Sequence, residues 1–222
     1  ELTGGGWGRL AAYSTTELGL MLQLLMLPGA LGLSAVQEFA ERGQGTPIPL
    51  DPPKRIVTSG PYAYIANPMQ FATALMLAAW GWVLGSFWVA LAGLMAVIYG
   101  VGFAAWSEGE DLAERFGDDW SVYRQQVKPW RLRWRPWMQA PYAEQPILFL
   151  PEDCAPCSAT AQWIAERQPR GLRITAAEEH PDRDLYRVTY EPGGGLPADE
   201  GVAALGRALE HMHLGWALLG MF

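Results

Sequence analysis

From residue 68 to residue 107 the chain runs for forty residues without Asp, Glu, Lys, Arg or His, and no other feature narrows its folds as sharply. A helix of a soluble protein keeps one face toward water, and neither half of this block has a polar face to offer. Gly85-Ser86 divides the block into residues 68–84 and 87–106. At about 1.5 Å per residue, each half can span a hydrocarbon core of roughly 30 Å. The block therefore reads as a membrane helical hairpin, and the alternative of a soluble core pair leaves no solvated side. Residues 18–36 add nineteen more uncharged positions between Glu17 and Glu38, which predicts a third span. Gln23 and Pro28 count against that span, although membrane helices tolerate proline better than soluble ones. Lys54 and Arg55 precede the hairpin, Arg115, Arg124, Lys128, Arg131, Arg133 and Arg135 follow it, and its tip carries no basic residue. Both hairpin ends are thus expected on the cytoplasmic side.

Mean hydropathy over the whole chain is close to zero, but that average conceals two unlike parts. Charge is almost confined to the flanks of the uncharged block, and the sequence after about residue 143 is that of an acidic globular domain. A net charge of −7 argues against nucleic acid as a partner, since a phosphate backbone requires a basic surface. Two cysteines in 222 residues exclude a disulfide-stapled secreted scaffold. The sequence begins at Glu1, shows no signal-peptide pattern, and stops at Phe222 within an apolar helical pattern, so both ends are expected to be truncated.

The polar stretch 57–70, VTSGPYAYIANPMQ, leads into the uncharged block. Gly60-Pro61 and Asn67-Pro68 are turn signals, and Pro68 suits a first helical turn because its missing N–H would be unpaired there. The loop thus delivers Tyr62, Tyr64 and Asn67 to the mouth of a membrane helix. Asn67 can act as an Asx-type cap on that helix, as a catalytic residue, or as both. Upstream, residues 38–56 are so rich in Gly and Pro that they read as loop, while Trp7 and Tyr13 suit an interfacial anchor. Residues 106–127 have helical spacing, with Leu112, Phe116, Trp120, Tyr123 and Val127 forming a packing stripe. Glu108 and Glu110 open that segment at the membrane boundary. Gly100 and Gly102 form a GxG that reads as close helix packing rather than a cofactor loop. Residues 128–137 alternate basic residues with Trp, a pattern that fits lipid headgroups better than nucleic acid when it follows a membrane helix.

The pattern GPYxYxxNPM over 60–69 is entered through Pro52-Pro53-Lys54-Arg55 and followed by two apolar spans and FGxxxxxYxxxV over 116–127. Over roughly residues 18–137 it resembles the isoprenylcysteine carboxyl methyltransferase family and its phospholipid methyltransferase relatives. Ala63 and Ala66 stand where that family would place basic residues. Gly109 replaces the second residue of a paired acidic motif, with Glu110 standing in. The resemblance implies a multi-pass membrane enzyme that uses S-adenosylmethionine to methylate a hydrophobic or lipid-linked acceptor. It implies Asn67 and Tyr62 as catalytic residues, and Gly60, Tyr64, Pro68, Met69, Gln70, Glu108, Glu110 and Tyr123 as cofactor-binding residues. Methyl transfer from a sulfonium needs alignment and exclusion of water more than acid–base chemistry. Carboxylates can accept from ribose hydroxyls or an amino group, and aromatic faces can attract the cation.

Residues 134–146 hold three prolines and mark a domain boundary. The expected division is a membrane methyltransferase domain over 1–137, a linker over 138–145 and a thioredoxin-like domain over 146–222. A strand at 147–150, a CxxC at Cys154 and Cys157, a helix over 158–167, strands at 172–175 and 187–190 and a helix from Gly201 resemble the DCC family of thiol-disulfide oxidoreductases. That resemblance implies Cys154 and Cys157 as a redox pair. The residues themselves leave three readings open: a thiolate stabilised at a helix start, a zinc site completed by His180, His211 or His213, or an inert pair. No metal is assigned.

The expected fold is membrane α-helical, with three transmembrane helices and a cytosolic helix, followed by a small α/β thioredoxin-like domain. The expected function is S-adenosylmethionine-dependent methyl transfer, with membrane lipids and the acceptor as partners. Its rivals are a membrane-anchored thiol-disulfide protein with a non-catalytic membrane part, and a catalytically dead scaffold.

Overall fold

The computed structural model describes residues 6–46, 52–138, 145–151 and 155–221. They group into two compact units. The first comprises the residues up to Val57 together with Ile65–Leu132, and the second comprises Thr58–Tyr64 together with the residues from Arg133 onward.

The first unit is helical. Helix α1 (Thr15–Gly43) starts with a reciprocal cap: the Ser14 hydroxyl accepts from the Glu17 N–H, and the Glu17 carboxylate accepts from the Ser14 N–H, which satisfies two otherwise orphaned donors. Pro28 lies within α1 without ending it. The helix also runs past the expected loop start at residue 38. Glu38 and Arg42 are both buried in its last turns, with Arg42 Nε 3.8 Å from Glu38 Oε1, and the end comes only where Gln44 turns left-handed. The Gly43 carbonyl there accepts the Lys54 N–H, so the end of α1 is tied to the segment that leads toward the motif.

Helix α2 (Pro68–Leu84) and helix α3 (Phe87–Tyr99) are joined at Gly85-Ser86. Gly85 takes the left-handed conformation that its lack of a Cβ allows, and the Ser86 hydroxyl caps α3 by accepting from Val89 N–H. Helix α2 packs against both α1 and α3. A Cβ at Gly81 would lie 2.5 Å from the backbone nitrogen of Ala90, so glycine is what allows the two backbones to approach there. Trp7 meets Trp80 edge to face, and the Tyr13 hydroxyl donates to the Val83 carbonyl. Both N-terminal aromatics therefore attach to the end of α2.

The expected hairpin forms between α2 and α3, but its second helix is not separate from the helix that follows. Helix α3 continues through a π-helical turn, Gly100–Ala104, into helix α4 (Ala105–Gln126). The only departure within α4 is at Gly117, where φ is +52°. Among the described residues two stretches, Thr15–Gly43 and Phe87–Gln126, are long and apolar enough to cross a membrane, and α2 is a shorter apolar helix of 17 residues. Their large apolar side chains point outward: Leu22 and Leu33 on α1, Trp82 on α2, and Phe87, Trp88 and Ile98 on α3 are all exposed. Such a surface suits hydrocarbon rather than water.

The second unit is a four-stranded sheet with helices. Strand β1 (Ile147–Leu150) is followed by helix α5 (Ala155–Glu166) and strand β2 (Arg173–Ala176), which pairs parallel to β1 with Leu148 opposite Ile174. Strands β3 (Thr189–Glu191) and β4 (Asp199–Glu200) follow, β3 antiparallel to both β1 and β4, giving the order β2-β1-β3-β4. Helices α6 (Val202–Leu209) and α7 (Leu214–Gly220) complete it. The core joins Leu148, Leu150, Ile164, Leu172, Tyr190, Ala204, Ala208 and Met212.

Candidate functional site

The motif read as a single loop is shared between the two units. Its first part, Thr58–Tyr64, belongs to the second unit, where Gly60 (φ +54°) opens a short 3-10 turn through Ala63. Two backbone bonds hold it to the following segment, from Arg133 N–H to the Tyr64 carbonyl and from Trp137 N–H to the Ala63 carbonyl. Ala63 is fully buried and packs with Tyr64 and Ala217. The position where a basic residue was expected is therefore occupied by a core methyl, with no room for a charged side chain. Ala66 is buried as well.

Tyr62 and Tyr64 are both buried in this unit. The Tyr64 hydroxyl donates to the Glu210 carbonyl at 2.7 Å. Burial, and then the Glu210 charge, push its pKa above the ordinary tyrosine range. It is thus held as a neutral donor, committed to a backbone acceptor within the protein.

The second part of the motif opens α2 in the first unit. Pro68 takes the first helical position and is buried. Asn67 is the residue before the helix, but its side chain does not cap it. Instead, Asn67 Nδ2 donates to Gln70 Oε1 at 3.1 Å, and Gln70 Nε2 donates to Glu108 Oε1 at 3.1 Å. Three polar side chains, the first and last 41 positions apart, form one directed chain in which each carboxamide nitrogen donates to an oxygen of the next. All three are candidates from the sequence, and the fold supplies their connection.

Small and aromatic residues line one side of this chain, and Glu108 at its end is exposed. The Ala66 N–H donates to the Lys128 carbonyl, which brings the segment after α4 to the entrance of α2. Trp130 lies with its ring centre 6.0 Å from that of Phe71. Gly100, the first residue of the π turn, is buried against Trp130 and Gln70: a Cβ there would lie 2.5 Å from Trp130 Cζ2 and 2.8 Å from Gln70 Oε1. A π turn inserts one residue into a helix and recurs at functional sites. Here it lies just before the turn that carries Glu108. In the sequence Trp130 belongs to a headgroup pattern and Gly100 to a packing GxG, and neither carries a signal toward this site.

Not every expected residue joins the chain. Glu110, two positions beyond Glu108, is turned roughly 200° around the helix and faces elsewhere. Met69 contributes its carbonyl to the Thr73 hydroxyl. Tyr123 lies beyond the break at Gly117, buried with its ring 5.9 Å from that of Trp120, as the packing stripe predicts.

In the second unit, Cys154 lies outside the described residues, and Cys157 falls on α5. The zinc alternative loses two of its histidines. His211 Nδ1 donates to the Arg170 carbonyl at 2.8 Å, which leaves Nε2 to accept from the Tyr190 hydroxyl at 2.9 Å. His180 Nδ1 accepts from the Asp182 and Arg183 N–H groups, and Nε2 faces the Glu191 carboxylate. Neither imidazole has a lone pair left for a metal.

The apolar helical unit thus gathers a carboxylate, two carboxamides and two aromatic rings at the mouth of α2. Residues 17–119 match the model of the phospholipid methyltransferase family. The matched stretch, which is similar to a family of methyltransferases, contains Asn67, Gln70, Gly100 and Glu108. No curated protein and no solved structure matches the chain.

Proposed function

We propose that the chain is an integral membrane methyltransferase that takes its methyl group from S-adenosylmethionine and gives it to a hydrophobic or lipid-linked acceptor. The observation that carries this reading is the Asn67–Gln70–Glu108 hydrogen-bonded chain, lying within the stretch that matches a methyltransferase family. The donor set fits the cofactor. Glu108 offers a carboxylate to ribose hydroxyls or an amino group, Phe71 and Trp130 offer ring faces that attract a cation, and Gly100 leaves a cradle that a side chain would fill.

S-adenosylmethionine, when bound, supplies an electrophilic methyl group on a sulfonium. The protein's task is then alignment and dryness, because a positioned pair of reactants removes much of the barrier and no proton need be moved at the sulfur. Asn67 is well placed to orient the acceptor. Its amide is fixed by Gln70, and its carbonyl oxygen is the end of the chain available to an acceptor N–H or O–H. The surrounding apolar helices exclude water and admit acceptors from the lipid side. An isoprenylated cysteine, a lipid amine and a small hydrophobic acid all meet that requirement.

The topology belongs to the same proposal: three crossings, with α2 as the shortest, and the tip at Gly85-Ser86 facing away from the cytosol. A cysteine introduced by Ser86→Cys, in a chain whose Cys154 and Cys157 are Ser, should react with impermeant reagents from outside intact cells. Reaction only after permeabilisation would invert the topology. For the second unit we propose a thioredoxin-like fold, supported by a β-α-β half followed by a β-β-α half and the order β2-β1-β3-β4.

The activity is tested by incubating membranes that carry the chain with methyl-labelled S-adenosylmethionine and each class of acceptor. Label should enter the organic phase with the unaltered chain and fall at least tenfold with Asn67→Ala. Label no higher than in membranes lacking the protein, for all acceptors, would contradict the proposal.

A further inference from the structure

We infer that Gln70 is a positioning residue for Glu108, and that Gly100 is glycine because the first turn of the π helix must leave space for the Gln70 carboxamide and the Trp130 ring. This inference rests on the cofactor reading above and goes beyond it by naming what sets the carboxylate's position.

Three observations carry it. The carboxamide of Gln70 is used at both ends, with its oxygen accepting from Asn67 and its nitrogen donating to Glu108. A carboxamide accepts through its oxygen and donates through its nitrogen, which a Glu carboxylate and a Met thioether cannot both do. Next, the Gly100 Cα hydrogen faces the point where Gln70 Oε1 and the Trp130 edge meet. A methyl there would stand closer than van der Waals contact to both, at 2.8 and 2.5 Å. Finally, Gly102 lies two positions further along the same π turn, and a Cβ there would meet nothing within 4 Å. The two glycines of the GxG thus differ in cause. Gly102 has open space beside it, whereas Gly100 is required by what packs against it.

The consequence for ligand binding is specific. Adding a methyl at Gly100 displaces the oxygen that accepts from Asn67 and shifts the amide that donates to Glu108, so the carboxylate loses its fixed direction although its charge remains. Gln70→Glu has a different effect: a carboxylate is placed against Glu108 Oε1, and such a pair is tolerated only while the two share a proton.

The test uses the full chain in detergent, with equilibrium binding of S-adenosylhomocysteine as the readout and gel filtration to confirm folding. Gly100→Ala should weaken binding tenfold or more, while Gly102→Ala stays within twofold. Gln70→Glu should bind poorly at pH 8 and recover as the pH falls toward 6, a pH profile that a purely structural defect does not produce. Equal effects of Gly100→Ala and Gly102→Ala, or a Gln70→Glu deficit that is flat with pH, would overturn the inference and leave the cofactor reading standing. If the unaltered protein binds no S-adenosylhomocysteine, the cofactor reading fails and the inference falls with it. Should Gly100→Ala not fold, the pH profile of Gln70→Glu decides alone.

Discussion

The two units of this chain bury their polar groups by opposite rules. In the first, large apolar residues stand outside, Glu38 and Arg42 are buried together near the end of α1, and Asn67, Gln70 and Glu108 join at the mouth of α2. In the second, apolar residues close a sheet core, and the polar groups inside it, His211 and Tyr190 among them, are hydrogen-bonded partners within the core's edge. The difference teaches what each solvent demands. Hydrocarbon tolerates an apolar exterior but offers a polar group no substitute partner, so the polar groups of such a unit must find partners within the protein. Water allows polar groups anywhere on the surface, so a buried one marks structure first.

The sharpest way to break that contrast is to truncate leucines in both units. Leu148 is fully buried in the sheet core, and Leu148→Ala should cost about 2–5 kcal/mol of unfolding free energy. Leu33 is 74% exposed on α1, and Leu33→Ala should stay within about 0.5 kcal/mol in detergent, because its surroundings remain apolar before and after unfolding. Denaturant titrations of both variants give the comparison, and a large loss at Leu33 would mean that α1 is packed against protein on that face.

Charge substitutions sharpen it from the other side. Leu33→Asp should lower membrane insertion by about 2.5–3.5 kcal/mol at most, the penalty near a span centre. Tyr186, 85% exposed in the second unit, should accept Asp within about 0.5 kcal/mol. A glycosylation-based insertion assay reads the first and thermal unfolding reads the second.

Tyr64 tests the assignment of the Thr58–Tyr64 segment to the second unit. Tyr64→Phe removes a buried donor and leaves the Glu210 carbonyl without that bond, which should cost about 1–3 kcal/mol. The loss should appear in the unfolding of the sheet unit, and an unchanged midpoint would detach the segment from it.

The smallest effect per step is the response to pH. Burial, opposed by the hydrogen bond to Arg170 and assisted by the Arg207 charge, pushes the His211 pKa down to about 4 from 6.5. The unfolded chain therefore binds the extra proton first. Stability is fully present above pH 6.5, and falls by about 1.4 kcal/mol per pH unit between 6.5 and 4. His211→Gln should flatten that slope in a series of denaturant titrations, and an unchanged slope would assign the dependence to other groups.

Much of the first unit is legible in the sequence, because forty uncharged residues and the glycine between α2 and α3 leave few alternatives. The extension of α1 through Glu38 and Arg42 was not legible, since charge near Gly and Pro reads as loop until the two are seen to bury each other. The continuity of α3 into α4 was hidden for a similar reason: polarity changes at Trp106 while the backbone does not. At the site, Asn67, Gln70 and Glu108 were each recognisable, but their linkage depends on a π turn that no spacing rule encodes. Trp130 was masked by its basic neighbours, whose pattern belongs to a membrane surface. In the second unit the strands at β1, β2 and β3 were foreseen within one or two residues, and the two-residue β4 was too short to leave a periodic signal.

One comparison bears most directly on the site: equilibrium binding of S-adenosylhomocysteine to the detergent-solubilised chain, measured for the unaltered protein, Glu108→Gln and Glu110→Gln. Removing a charge-assisted hydrogen bond is worth about 1.5–3 kcal/mol, so Glu108→Gln should weaken binding about ten- to a hundredfold, whereas Glu110→Gln should leave it within about twofold because that carboxylate faces away from Gln70. A dissociation constant unchanged by Glu108→Gln in a folded protein, or weakened more by Glu110→Gln, would contradict the assignment of Glu108 as the cofactor's carboxylate.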